Sequence, residues 1–373
     1  MSSPEPSVRG ARNDRPAALT VAVTGAARGA GALMTRRLVG ASPPVRVIAV
    51  DERRGTFEGA DDAEWHLMDI RDPALAEPFR PDGRPVDVVV HLSLDLDLET
   101  DAGARTAHNV GGTRAVLTAA AAMGVRRVVL CTSTMVYGAL PDNDVPLSED
   151  AGLRASPDAS GVADLLEIES LAERAPRAHP GLNVTVVRPA ALVGVDADTA
   201  LTRYFESPRL LLVAGSRPRW QFCHVEDLVT ALELVVRRDP TGPLVVGSDG
   251  WLEHEQVEEL SGIRRMELPS AVALGAATRL HRLGLTPSPA ADLAYTMHPW
   301  VVGTGRLYEA GWRPTWTNEK ALAALLEETA GRHAVAGRRL GRKDAATTLG
   351  AAGATVALVG TAALVRRARR RRR

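Results

Sequence analysis

"VAVTGAARGAG", residues 21–31, decides the fold, because an apolar run passes there into a glycine-spaced turn and then into a helix. Gly25 permits the tight turn, Gly29 allows the backbone to approach a pyrophosphate, and Gly31 allows helix and strand to pack closely. Phosphates bound at this point would lie on the amides of the helix N-terminus, where the helix dipole favours negative charge. The stretch predicts the first βα unit of a dinucleotide-binding fold.

An acid at the end of the next apolar run supports this prediction. Asp51 closes "VIAVD", 20 residues beyond Gly31. A carboxylate at this spacing accepts hydrogen bonds from both ribose hydroxyls and repels a 2′-phosphate. We therefore expect NAD rather than NADP. Arg28, Arg53 and Arg54 are close enough in sequence to offset a phosphate's charge, and a solvated role suits them equally.

The alternation of apolar runs and helical stretches predicts the rest of the fold. "ALTVAVTG", "VRVIAVD", "VDVVVHLSL" and "VRRVVLCTST" are apolar throughout, and alanine-rich helical stretches separate several of them. Such strands are typical of a parallel sheet covered on both faces. "NVTVVRPAALVG" adds a sixth strand. We predict a doubly wound α/β (Rossmann) fold with a smaller C-terminal substrate lobe and a C-terminal apolar helix.

The predicted organisation has six parts. These are a disordered arm (1–17), a NAD-binding Rossmann domain (18–193), a substrate lobe that partly returns to the Rossmann domain through "PLVVGS" (194–330), a basic linker (331–344), an apolar helix (345–365) and an arginine-rich tail (366–373).

Composition restricts the partners and the compartment. The chain has 373 residues, 45% of them hydrophobic, and a formal net charge of zero, which argues against nucleic acid as a partner. Cys131 and Cys223 lie in apolar runs, as buried thiols do in a reducing cytoplasm, so neither a disulfide nor a metal site is predicted. The N-terminus has no apolar core of a secretory signal. We expect a cytoplasmic protein.

Residues 345–365 are uncharged, and as a helix they would measure about 31 Å, close to the thickness of a bilayer's hydrocarbon core. Arginine clusters on both sides would attract anionic headgroups, so we expect attachment to the inner face of the cell membrane through 345–373. The alternative is an alanine-rich helix lying on the protein. Basic flanks on both sides leave the orientation open.

Several motifs carry a resemblance to a known family. They are "HLMDIRD" (66–72), "VDVVVHLS" (86–93), "NVGGTRAVLTAAAAMGVRRVVLCTSTMVYG" (109–138), "QFCHVEDL" (221–228) and "AGWRPTWTNEKAL" (310–322). With the glycine motif, they resemble the extended short-chain dehydrogenase/reductase family, the NAD-dependent epimerases and dehydratases of nucleotide sugars. The resemblance covers roughly residues 19–328.

The resemblance implies a cofactor site. Asp69 and Ile70 would flank the adenine, and Leu92 and Ser93 would line the cofactor, as would the residues of the glycine turn. One departure lies in that turn. Extended members usually place the middle glycine three residues after the first, where this chain has Arg28.

The resemblance also implies a catalytic apparatus. In the family, a tyrosine takes or returns the substrate's hydroxyl proton, a lysine four residues later lowers the tyrosine's pKa, and a serine steadies the substrate oxygen. Ser133 corresponds to that serine, and Thr132 beside it belongs to the predicted cofactor site. Hydroxyl groups at a strand end can also simply cap the next turn.

The tyrosine and lysine are missing from "ASPDASGVADLLEIE" (155–169), where they should fall. One alignment places Asp158 and Val162 there, and the other places Ala159 and Ala163. Tyr137 belongs to the turn after a strand, which favours a packing role.

Other groups could take over the acid–base work. Asp158 could do so if burial raised its pKa, and His91 or His224 if either faced the cleft. The family's nucleotide-sugar asparagine is replaced by Ala191, whereas Arg188 is retained.

Two functions remain open. The first is a NAD-binding protein without the family's standard catalysis, acting as a redox sensor or scaffold. The second is an active epimerase, dehydratase or alcohol dehydrogenase with a substituted acid–base pair, acting on a nucleotide sugar or a lipidic alcohol such as a steroid. A homodimer is expected by analogy with the family.

Overall fold

The computed structural model describes residues 19–159, 161–194, 199–332, 334–335 and 338–339. In chain order the strands are β1 (Leu19–Thr24), β2 (Val45–Asp51), β3 (Glu64–Leu67), β4 (Val88–His91), β5 (Arg127–Cys131), β6 (Asn183–Pro189), β7 (Ala191–Val193), β8 (Leu210–Val213), β9 (Arg219–Trp220), β10 (Phe222–His224), β11 (Leu244–Val246), β12 (Leu252–Glu253), β13 (Arg265–Leu268), β14 (Ala334–Val335) and β15 (Arg338–Arg339).

The helices lie between these strands. They are α1 (Gly29–Val39), α2 (Ala102–Thr106), α3 (Gly112–Met123), α4 (Val162–Ala178), α5 (Ala200–Phe205), α6 (Val225–Arg238), α7 (His254–Ser261), α8 (Ser270–Arg282), α9 (Gly305–Glu309) and α10 (Asn318–Thr329). A π-helical turn, Ala107–Gly111, joins α2 to α3 in one continuous helix.

Seven strands form the main sheet, in the order β3-β2-β1-β4-β5-β6-β11, and all neighbours are parallel. Along the chain, β2 and β3 are added on one side of β1, and β4, β5, β6 and β11 are then added on the other side. A crevice opens at such a switch point, beyond the carboxyl ends of β1 and β4. The predicted doubly wound α/β fold is confirmed.

Helices cover both faces of the sheet, which explains why its inner strands are mostly apolar, whereas the edge strand β3 contains Glu64 and His66. Met34 of α1 and Leu228 of α6 belong to the core on one face. Val116 of α3 and Ile168 of α4 belong to the core on the other. Because each inner strand contributes side chains to both cores, an alternating polar pattern would bury unpaired polar groups.

The predicted sixth strand is divided in the structure. β6 stays in the main sheet, whereas β7 pairs with β10 in a separate two-stranded sheet. The division falls at Ala190, whose amide donates to the carbonyl of Val246 in β11. The "PLVVGS" segment thus returns to the main sheet as β11. A third core, which includes Phe205, Trp220 and Leu322, holds the later elements together.

Three predicted segments, the arm 1–17, the apolar helix 345–365 and the tail 366–373, lie outside the described residues. Within the predicted linker, β14 pairs antiparallel with β15. Across the described part of the chain, no helix combines the length and hydrophobicity that crossing a bilayer would require. The membrane helix therefore stays a prediction.

Candidate functional site

The glycine turn lies at the switch point of the sheet. Gly25 has a φ of +71°, and a Cβ atom there would lie 2.8 Å from the backbone of Ser93, just past β4. Gly29, with a φ of +52°, begins α1, and Arg28 precedes it as an exposed N-cap in extended conformation. A Cβ atom on Gly31 would lie 1.9 Å from the carbonyl oxygen of Gly25. Only glycine fits where α1 approaches the turn so closely.

Asp51 ends β2 beside this turn. One carboxylate oxygen accepts from the backbone amide of Ala27 at 3.0 Å, and the other accepts from that of Arg53 at 3.1 Å. A carboxylate has about four acceptor positions. Asp51 therefore keeps capacity for ribose hydroxyls while it fixes the glycine turn. Of the nearby arginines, Arg54 pairs with Asp61 at 2.7 Å.

Asp69 and Ile70 follow β3 but face different surroundings. A hydrogen bond from Arg71, with smaller contributions from the Arg71 amide and charge, lowers the pKa of Asp69 to about 2. Ile70 is buried, and a Cβ atom on Gly112 of α3 would lie 2.2 Å from its side chain. Gly112 is thus needed for Ile70 to lie against α3.

Leu92 and Ser93 extend the crevice past β4. The Leu92 amide donates to the carbonyl of Thr24 at 3.1 Å, which continues the β1–β4 pairing by one residue. The Ser93 hydroxyl lies 3.2 Å from Nε2 of His108. The structure therefore brings together the glycine turn, Asp51, Leu92 and Ser93.

Ser133 follows β5 and begins a 3₁₀ turn, Thr134–Tyr137. Its hydroxyl accepts from the Met135 amide at 3.2 Å, and its side chain is half-buried. The next residue, Thr134, is buried, and its hydroxyl has no hydrogen-bond partner within the described residues. Ser133 thus caps the turn and keeps part of its surface open to the crevice side of the sheet.

The positions of the missing pair have contrasting surroundings. Asp158 is exposed, so it lacks the burial on which its predicted acid–base role depends. In the other alignment, Ala159 is buried. Val162 is fully buried in the third core, together with Ala159 and Tyr295. In one alignment the predicted lysine position is therefore a buried Val162, and in the other it is an exposed Ala163.

A network of buried polar side chains includes Thr132, the residue before Ser133. Glu169 of α4 accepts two hydrogen bonds from Arg188, at 2.7 and 2.8 Å, and one from the Thr132 hydroxyl at 2.6 Å. Arg188 also donates to the Tyr137 hydroxyl at 2.8 Å, and that hydroxyl donates to the Glu149 carbonyl. Burial is the largest influence on Tyr137 and raises its pKa, despite the neighbouring guanidinium.

The sequence reasoning missed Glu169. The available signal was its position in "ADLLEIESLAERA": Glu169 lies four residues after Leu165 and three before Ala172, on the buried side of α4. An acid on an apolar helical stripe needs a partner. Thr132 donates its hydroxyl proton to Glu169, so this proton is not available to donate to a ligand.

The two histidines proposed for acid–base work are held by local partners. Burial lowers the pKa of His91 to about 3. The Thr113 hydroxyl donates its proton to the carbonyl of Asn109, so its oxygen accepts a hydrogen bond from Nε2 of His91. Nδ1 of the neutral His91 ring then accepts from the Thr24 hydroxyl. His224 caps α6 by accepting from the Glu226 amide, and its ring stacks on Trp316 at 3.5 Å.

Two further groups bear on ligand chemistry. Ala191, the replaced asparagine, is buried, and its amide donates to the carbonyl of Gln221. Within the residues that the structure describes, no three His, Cys, Asp or Glu side chains lie together as a metal site would require.

The model of the NAD dependent epimerase/dehydratase family matches residues 21–247. The chain belongs to this family. An uncharacterized protein of Mycobacterium bovis is 31% identical over 309 residues, which are 81% of each chain. A UDP-glucose 4-epimerase of Streptomyces lividans is 28% identical over 74% of this chain and 94% of its own length.

A solved structure in the same family agrees with the fold. The Thermus thermophilus UDP-glucose 4-epimerase, crystallised with NAD, has a TM-score of 0.62 and 17% identity. The match covers 84% of this chain and 99% of that one. At this identity the likeness supports the architecture of the NAD-dependent epimerase/dehydratase family, and the substrate has to be argued from the residues.

Proposed function

We propose that this chain binds NAD and lacks the tyrosine–lysine chemistry of the NAD-dependent epimerase/dehydratase family, acting as a redox sensor or scaffold. The observation that carries the proposal is the contrast between two sites. The glycine turn and Asp51 keep the geometry that a dinucleotide needs. In one alignment the positions of the tyrosine and lysine hold an exposed Asp158 and a fully buried Val162, and in the other they hold a buried Ala159 and an exposed Ala163.

The residues fit NAD in specific ways. A Cβ atom on Gly25 or Gly31 would collide with the protein's own backbone, so both glycines hold the turn against β4 and α1. A pyrophosphate would lie beside this turn at the N-terminus of α1, where Gly29 begins the helix. Asp51 retains acceptor capacity for the adenosine ribose and repels a 2′-phosphate, which favours NAD over NADP. The proposed cofactor site is also lined by Ile70, Leu92, Ser93 and Thr132. Asp69 and Arg28 lie at its edge.

NAD supplies hydride transfer when a base removes the substrate's hydroxyl proton. Ser133 can hold a substrate oxygen, but the family needs a phenolate and an ammonium beside it. The one lysine among the described residues, Lys320, is exposed at the first turn of α10. Nucleotide binding without turnover is therefore the function that these side chains support best.

Three finer points belong to the same proposal. A nucleotide sugar or a lipidic molecule is the ligand class that we propose beside the cofactor. We place the protein in the cytoplasm, as a homodimer. We further propose attachment to the inner face of the membrane through residues 345–373, because this segment is uncharged for 21 residues and ends in arginines.

Calorimetry of the full-length protein with NAD and with NADP tests the binding half. We expect micromolar affinity for NAD and weaker binding of NADP, with a smaller preference in Asp51→Asn. Glu52→Gln, at the adjacent position, is the matched control. Equal affinities in the wild type, or no binding of either nucleotide, would contradict the proposal.

One observation favours the catalytic alternative. Tyr295 of the second lobe donates to the carbonyl of Met135 at 2.8 Å, within the turn that Ser133 begins. Burial raises the pKa of Tyr295, which opposes a role as base. Turnover of UDP-sugars or alcohols that vanishes in Ser133→Ala, Asp158→Asn or Tyr295→Phe would establish this alternative and remove the first.

A further inference from the structure

Helix α8 and the turn after it carry an apolar surface that no element covers within the described residues. Only Ala273 of α8 is buried. Val272, Leu274, Leu283 and Leu285 expose 43%, 38%, 62% and 46% of their surface. The α8 face is the part of this surface that forms a groove of about 540 Å³, lined by Leu274, Gly275, Thr278, Arg279, Arg282 and Leu283.

The charged residues of α8 itself and of the turn after it are all basic. Residues 268–291 contain no aspartate or glutamate. Arg279 and Arg282 line the groove, and the ion pairs among the described residues include neither of them. Their guanidinium groups are therefore available to an anion beside an apolar surface.

This combination matches an anionic lipid surface. A helix that lies in the plane of a membrane presents leucine and valine to the acyl boundary and arginine to the headgroups. Arginine side chains can cover apolar surface with their methylene groups while the guanidinium reaches the headgroup level. A protein partner that covered the α8 face would need acidic groups opposite both arginines.

We propose that the α8 face docks on an anionic bilayer, with Leu274 and Leu283 at the acyl boundary and Arg279 and Arg282 on lipid phosphates. The same chain carries 21 uncharged residues followed by seven arginines in its last eight. A bilayer contact at α8 would give a second point of attachment and fix the orientation of the nucleotide crevice. The proposal is independent of the redox role.

The test uses the full-length protein labelled at single introduced cysteines. Leu274→Cys and Leu283→Cys place an environment-sensitive nitrobenzoxadiazole label on the α8 face, and Leu67→Cys, at a position 60% exposed on β3, is the control. Cys131 and Cys223 are buried, so labelling is selective. Vesicles contain phosphatidylcholine and phosphatidylglycerol in equal parts, or phosphatidylcholine alone.

We expect the labels at positions 274 and 283 to shift to the blue and brighten several-fold with the anionic vesicles, while the label at 67 does not change. In Arg279→Gln and Arg282→Gln the partition coefficient should fall about five-fold for each arginine removed. Because both side chains are exposed, these variants keep the fold.

Each other outcome overturns the proposal. Unchanged labels on protein that sediments with vesicles would mean attachment elsewhere in the chain. A blue shift that depends on protein concentration without vesicles would mean that a second copy covers the α8 face. A label already blue-shifted in dilute protein would mean that the chain covers this face itself.

Discussion

Gly31 is the residue at which α1 comes closest to the glycine turn. An alanine methyl group would lie 1.9 Å from the carbonyl oxygen of Gly25, so the helix would have to move away. We expect Gly31→Ala to lower the free energy of unfolding by about 1–3 kcal/mol and to weaken NAD binding. Gly152→Ala, with open space around the new methyl group, should change neither. Urea denaturation and nucleotide titration measure the two effects, and equal behaviour of the variants would contradict this account.

His91 links β4 to β1 and α3 as a buried neutral ring. Burial lowers its pKa from 6.5 to about 3, so the unfolded chain binds a proton there at a higher pH than the folded protein does. The contribution of His91 to stability is complete above the unfolded value and is lost as the pH falls from 6.5 towards 3.

We therefore expect the free energy of unfolding to decrease on acidification, by at most about 1.4 kcal/mol per pH unit from this residue. His91→Asn should flatten that dependence between pH 6 and 4. The control, His281→Gln, alters an exposed histidine. The measurement is urea denaturation at several pH values. A slope that His91→Asn leaves unchanged would show that His91 is not the group responsible.

At the scale of elements, the Glu169–Arg188 pair ties α4 to β6, and Thr132 ties it to the end of β5. Both charged side chains are buried, so removing one leaves the other without a counter-charge. We expect Glu169→Leu to cost about 3–5 kcal/mol of unfolding free energy. The double variant Glu169→Leu with Arg188→Met should cost only about 1–3 kcal/mol, mostly for the unpaired Thr132 hydroxyl.

The control for this prediction lies on the same helix. Glu167 forms an exposed pair with Arg174, and Glu167→Leu should cost about 1 kcal/mol or less. Chemical denaturation compares these three variants with the wild type. If the double variant were as unstable as Glu169→Leu alone, the buried charge would not be the cause of the loss.

The elements that the sequence predicted correctly are those with a local signal. The inner strands of the main sheet are mostly apolar, and the turn at Gly25 requires glycine, so both can be inferred from a short window. The division of "NVTVVRPAALVG" into β6 and β7 depends on Val246 and Phe222, which are distant in sequence. The hydrogen bond from Tyr295 to Met135 could not be predicted for the same reason, because 160 residues separate the two.

The candidate site divides in the same way. The glycine turn and Asp51 were predictable because spacing along one βα unit determines their positions. The exposure of Asp158 and the burial of Val162 could not be predicted, because both depend on how the later elements pack against this part of the chain. The prediction that the tyrosine–lysine pair is missing rests on the sequence alone. The burial of Val162 in a hydrophobic core became visible only in the structure.

At the scale of the whole molecule, the glycine turn and Val162 lie in different parts of the fold. The glycine turn lies at the carboxyl ends of β1 and β4, whereas Val162 lies in the core that α4 shares with the later elements.

One experiment tests most directly whether NAD binding occurs without chemistry: titration calorimetry with NAD, followed by incubation of the saturated protein with UDP-sugars and alcohols. Chromatography detects any new UDP-sugar, because epimerisation and dehydration return the hydride and leave no net reduced nicotinamide, and the absorbance of reduced nicotinamide detects alcohol oxidation. We predict saturable binding of NAD with no new product and no absorbance change for any compound. Binding accompanied by a new UDP-sugar or by a substrate-dependent rise in that absorbance, lost in Ser133→Ala, would contradict the account.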